Sequence, residues 1–110
     1  MLDFNLITGD GKNKSDLAII LILVKETQKN KIKWQIDYNY ERIARFTTYI
    51  DISDTTKKIK IVLYVNRFDT QRNDLTFFYQ KKSYITKVVR MLYGQQTTTL
   101  LKTIENQLGI

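Results

Sequence analysis

The chain has no cysteine, no histidine and no proline. Without cysteine there are no disulfides, thiolate metal sites or thiol nucleophiles, although the redox compartment stays open. Without histidine the usual general base, the commonest metal ligand and the side chain that titrates near neutrality are missing. Serine–histidine triads, zinc hydrolases and HExxH metalloproteases are thereby excluded. Without proline, and with only four glycines, most chain reversals must rest on Asn, Asp or Thr. Long apolar runs are also missing. The longest, Leu17 to Val24, is eight residues, against about 20 for a bilayer span. No basic segment leads into an apolar stretch with a small-residue cleavage site. The expectation is a cytoplasmic chain with no signal peptide and no membrane contact, or one in a host cytoplasm if the gene is mobile.

What is present is enough for one domain over residues 1–110, with 43% apolar residues and a modest core. The scarcity of acids is confined to the second half. Residues 1–55 carry eight Lys/Arg and eight Asp/Glu, whereas residues 56–110 carry ten and three, so the net +7 arises there. A segregated charge of this kind most readily attracts polyanions. An AT-rich coding bias, consistent with abundant Lys, Asn, Ile and Tyr, competes as the source of the lysines. It does not explain why acids thin out only after Asp54.

Along the chain, Leu2, Phe4 and Leu6 alternate with Asp3 and Asn5, which predicts a half-buried strand over 2–8. Gly9 to Ser15 reads as a loop. Leu17 to Val24 is uniformly apolar and β-branched, which favours a strand buried on both faces. Ser15 as a cap supports a helix instead. After Thr27 to Asn30, Ile32, Trp34, Ile36, Tyr38 and Tyr40 alternate with polar residues and predict an amphipathic strand. Its aromatics are assigned to the core face, with a stacking platform as the alternative. Within 41–52, Phe46, Thr48, Ile50 and Ile52 favour a strand, although Ile43, Phe46 and Ile50 also fit a helical stripe.

Residues 57–66 and 74–81 read as a hairpin with residue 66 opposite residue 74. Its inward face holds Ile61, Leu63, Val65, Leu75, Phe77 and Tyr79. Its outward face holds Lys58, Lys60, Val62, Tyr64, Thr76, Phe78, Gln80 and Lys82. A register slip of two leaves these faces unchanged. Ile85, Val88, Val89 and Leu92 then recur at helical spacing, from Ser83 as cap to Gly94 as stop. A second helix opens at Thr97 to Thr99, buries Leu100, Leu101, Ile104 and Leu108, and ends at Gly109. The expected fold is α+β, an antiparallel sheet of five or six strands followed by two C-terminal helices packed on one face.

The outward hairpin face mixes aromatics with lysines, the surface a single-stranded nucleic acid uses: rings stack on bases and cations meet phosphates. The candidate binding residues are Lys58, Lys60, Tyr64, Arg67, Arg72, Phe78, Lys82, Lys87 and Arg90. Against this stands a packing reading, in which Val62, Tyr64 and Phe78 lie beneath the C-terminal helices and the lysines ring that contact. No basic recognition helix, helix-turn-helix pattern or zinc site points to duplex readout. The expectation is a non-enzymatic module for single-stranded DNA or RNA, with no cofactor and no metal.

The alternative is a small inhibitor or adaptor of mobile-element type docking on an acidic protein, or a subunit of a homo-oligomer. In that reading the 2–8 strand edge is free to pair with another chain. Enzyme readings are thinner. Gly9-Asp10-Gly11-Lys12 lacks the upstream glycine of a phosphate loop, since Leu6 stands there. Asp3 with Asp10 and Lys12 only loosely matches magnesium nucleases. A metal-independent ribonuclease would draw on Arg67, Arg72, Lys81, Lys82 and Tyr64 or Tyr84, with no spacing that singles out a site.

Overall fold

Leu17 to Val24 lies within a helix rather than a strand, α1 (Asn13–Gln28), in the computed structural model. The model describes residues 2–3, 13–53, 56–79, 84–90 and 94–110, with backbone alone for 13–15, 79, 84–90 and 94–97. Ile19, Ile20, Leu23, Val24 and Thr27 are buried while Leu21 is 54% exposed. That is a helical stripe, which a strand buried on both faces would not leave. The polar residues after Val24 complete the stripe, because Thr27 Oγ1 donates to the Leu23 carbonyl one turn back at 2.6 Å. Asn30 closes the helix with φ 56°. The amides of Asn30 and Lys31 reach back to the carbonyls of Thr27 and Glu26 at 3.0 and 2.9 Å. This left-handed double-bonded stop suits Asn or Gly.

Five strands follow: β1 (Gln35–Asn39), β2 (Ile43–Asp51), β3 (Lys58–Asn66), β4 (Asp74–Tyr79) and β5 (Tyr84–Arg90). They form one antiparallel meander in chain order. A second helix, α2 (Gly94–Leu108), completes the described chain. Among the described residues the architecture is α+β with one antiparallel sheet and two helices. One helix precedes the sheet, so the expected order of strands first and helices last does not hold.

Two bulges account for the other departures. Between β4 and β5 the register runs Thr76–Val88 and Phe77–Lys87, then skips to Phe78–Ile85. The extra residue lets Ile85 and Val88, three apart, pair with two residues of one sheet face. In the sequence that spacing imitates a helical stripe. Gly94, expected as a helix stop, instead opens α2. The end of α2 falls where Gly109 predicts, at φ 74°.

In β1 the register passes from Ile36–Phe46 to Tyr38–Arg45. The bulge at Asp37 moves Tyr38 to the face opposite the core. Trp34 is buried as expected, but Ile36 is 42% and Tyr40 65% exposed. Tyr38 and Tyr40 stack on each other instead, with centroids 5.7 Å apart. Of the expected 2–8 strand, Leu2 is buried and makes a parallel bridge to Ile52. Residues 4–8 and the 9–12 loop lie outside the described residues.

The β3–β4 register pairs Leu63 with Leu75 and Ile61 with Phe77, slipped by two from the expected pairing. The faces are unchanged. Ile59, Ile61, Leu63 and Val65 are buried in one cluster with Ala44, Phe46, Ile50, Leu75 and Phe77, and with Ile19, Ile20, Leu23, Leu100 and Ile104 of the helices. Each fully buried aliphatic side chain contributes about 1.5–3 kcal/mol. Lys60, Val62 and Tyr64 are outside that cluster. Both helices therefore pack on the other side of the sheet from the predicted site.

Candidate nucleic-acid interface

The registers arrange the face turned away from α1 and α2 as a grid of cross-strand rows. Tyr49, Lys60 and Phe78 form one row across β2, β3 and β4. The next holds Gln35, Thr47, Val62 and Thr76, and the third Tyr38, Arg45, Tyr64 and Asp74. Beyond the Tyr49 row, Asp51 pairs with Lys58. Neighbouring residues in a row lie about 5 Å apart, and rows are separated by roughly 7 Å. Two aromatic–cation rows thus flank a row of small polar residues around Val62.

Lys60, Tyr64 and Phe78 are half-buried and Tyr49 is 41% exposed. Val62, between Thr47 and Thr76, is 5% exposed. Lys60 Nζ stands 6.0 Å from the centre of the Phe78 ring, the outer reach of a cation–π contact. The packing reading, which sealed these rings beneath the C-terminal helices, does not describe this arrangement among the described residues.

The expected cations are placed unevenly. Lys58 is on the face and 3.2 Å from Asp51, with both side chains more than half exposed. Arg67 sits past the end of β3, where its guanidinium donates to the Tyr40 carbonyl at 2.7 Å and to Asn39 Oδ1 at 2.9 Å. Arg72 lies in a short 3-10 turn (Thr70–Arg72), 3.2 Å from Asp69. Neither arginine belongs to the grid. Lys87 and Arg90, expected one turn apart on a helix, are on strand β5. Lys87 pairs in register with Phe77 of the covered face and Arg90 with Asp74 of the open face, so the ladder separates them. Lys82 lies outside the described residues.

Sequence reasoning misses Tyr49 and Arg45, and it gives Tyr38 to the core face with a stacking platform as the alternative. The signal for the first two was the complement of the buried set Phe46, Thr48 and Ile50, since alternate residues of a strand face opposite ways. Arg45 Nε is 3.3 Å from Asp37 Oδ2, which also accepts from Thr47 Oγ1. On the open face, Asp37 and Asp51 thus answer Arg45 and Lys58. These are partly exposed ion pairs, worth about 0–1 kcal/mol, so a phosphate can displace the acid at little cost.

The turn joining β3 to β4 is firmly built. Asn66 and Asn73 are buried. Asn73 Oδ1 accepts from the Asn66 amide, and Asn66 Oδ1 accepts from the amides of Phe68 and Asp69 at 3.1 and 3.0 Å. The turn presents Phe68 at 70% exposure. Among the described residues, no three His, Cys, Asp or Glu side chains are grouped to hold a metal. No described helix is long and apolar enough to cross a membrane. No protein family, curated protein or solved structure matches the chain.

Proposed function

We propose that the chain is a non-enzymatic module that binds single-stranded DNA or RNA on the face of its sheet turned away from α1 and α2. The observation that carries this reading is the continuous row Tyr49–Lys60–Phe78 on the side of the sheet away from both helices. Aromatic rings accept any base, at about 1–3 kcal/mol per stack. A sheet face bearing exposed aromatics is a recurrent solution for unpaired bases, whose rings are free to lie against it. Tyr64 and Tyr38, one row past Val62, lengthen the surface. Lys58 and Lys60 supply the phosphate contacts, while Arg67 and Arg72 brace the turns.

Titration of a labelled 20-mer over a salt series tests this. With about three phosphates neutralised, log affinity should fall against log salt with a slope near −2. Tyr64→Ala and Phe78→Ala should each weaken binding several-fold with the far-UV circular dichroism unchanged. No binding at low salt ends the proposal.

A second reading is favoured by one observation at the turn end. Tyr40 and Phe68 are the two most exposed large apolar side chains among the described residues, at 65% and 70%. Rigid aromatics beside arginine are the usual anchors of protein interfaces. An adaptor or inhibitor docking on an acidic protein would use this end. Recovery of a specific protein by the wild type at near-physiological salt, lost in Phe68→Asp, would favour it. Equal recovery by both would dismiss it.

A further inference from the structure

A cavity of about 370 Å³ opens beside the Tyr49 row, lined by Glu26, Lys31, Tyr49, Asp51 and Lys58 over Ile32 and Ile50. It lies where the end of α1 and the link to β1 meet the ends of β2 and β3. The volume falls in the range of small-ligand pockets. Its lining residues include one tyrosine, two lysines and two acids. A second cavity, of about 270 Å³, lies between the helix ends. Its Gln107 is committed to backbone bonds at 2.8 Å with the Trp34 amide and the Ile32 carbonyl, so it reads as architecture.

We infer that the larger cavity receives one nucleotide of the bound strand and prefers a base with an exocyclic amino group, cytosine above thymine or uracil. This inference rests on the single-strand reading of the sheet face. Tyr49 belongs both to the cavity and to the aromatic row, so a strand lying along the row meets the cavity at the β2 edge, where the helix-side Ile32 and Ile50 line it. Lys31 and Lys58 approach from different segments and meet the phosphate. Asp51 Oδ1 stands 3.2 Å from Lys58 Nζ, which places a carboxylate beside the cation that would hold the backbone. An ionised carboxylate only accepts hydrogen bonds. The N4 amino group of cytosine donates one, whereas O4 of thymine or uracil presents another acceptor. A phosphate taking Lys58 leaves the half-exposed Asp51 to water, and an amino-bearing base in the cavity replaces that water with a fixed donor.

The test compares labelled dC20 and dT20 by fluorescence anisotropy at one low salt concentration, with the full chain. The wild type should bind dC20 about fivefold more tightly, a modest share of what a good base contact discriminates. Asp51→Asn carries both a donor and an acceptor, so its ratio should fall to near one, chiefly through stronger dT20 binding. Tyr49→Leu should lower affinity for both strands and also lose the ratio. A wild-type ratio of one or less overturns the inference and leaves the sheet-face reading intact. A ratio unchanged in Asp51→Asn overturns it equally. Failure to bind either strand overturns both. Should Asp51→Asn not fold, the wild-type ratio and Tyr49→Leu decide.

Discussion

Arg67 donates from Nη1 to the carbonyl of Tyr40 at 2.7 Å, so a side chain from the β3–β4 turn holds the backbone of the β1–β2 turn. Its own amide reaches the Arg42 carbonyl at 2.8 Å. Two hairpin ends that are far apart in sequence thus form one unit. A guanidinium is suited to this because its fork bonds two acceptors at fixed angles.

Arg67→Ala is expected to cost about 1–2 kcal/mol, the usual worth of the bonds lost. Urea unfolding measures it. Binding of the 20-mer should change less than twofold, because this guanidinium is already engaged. Arg67→Lys should recover only part of the stability. A large loss of binding in a stable Arg67→Ala protein would return this residue to the interface.

Gln107 ties the chain ends together. Its Oε1 accepts from the Trp34 amide at 2.8 Å, and its Nε2 donates to the Ile32 carbonyl at 2.8 Å. Gln107→Ala should destabilise the fold by about 2 kcal/mol. Thermal melts should drop on the order of 4 °C per kcal/mol. Gln107→Glu keeps the shape but loses the donor, and should be destabilised as well. An unchanged melt for Gln107→Glu would contradict the donor role.

Asn73 offers a buried acceptor to the Asn66 amide. Asn73→Ala leaves that amide without its partner, at a cost of about 1–3 kcal/mol. Asn73→Asp keeps an acceptor there and should be tolerated better. Amide exchange at Asn66 reads the change directly: faster in the alanine variant, near wild type in the aspartate variant.

Asn30 holds φ 56° at the end of α1. Asn30→Gly should be neutral or slightly stabilising. Asn30→Val, with a branched Cβ in the left-handed region, should cost about 1–2 kcal/mol. Equal melting temperatures for the two variants would show that the stop is set elsewhere.

The sequence carried the strands that alternate without interruption. β3 is legible because its buried face, Ile59, Ile61, Leu63 and Val65, is apolar throughout and its open face follows as the complement, whereas in β2 Thr48 interrupts the buried face and Ile43, Phe46 and Ile50 also fit a helix. The failures share a cause. A bulge adds one residue, which reverses the parity of everything beyond it. Tyr38 leaves the core side past Asp37, and the spacing of Ile85 and Val88 imitates a helix. α1 was misjudged for another reason: Leu17 to Val24 is apolar all round, and only Thr27 and Asn30 mark a turn of 3.6. Charge was the least transferable signal. Arg67 and Arg72 are as cationic as Lys60, but whether a cation is available depends on neighbours such as Asn39, Tyr40 and Asp69 that are remote or unremarkable in the chain.

The meander joins each strand to its successor, whereas the two helices belong to opposite ends of the chain. Gln107 bonds to groups 73 to 80 positions away. The sheet can therefore zip through short closures, and the helical layer closes only when the termini meet. Until then the buried face of β3, from Ile59 to Val65, lacks its cover of Leu100 and Ile104. Pulse-labelled exchange should protect β2 to β4 before the Trp34 amide, and the reverse order would refute that sequence. A chain of this design is vulnerable while it is being made: its sheet is complete about 20 residues before the second of the two helices that cover it.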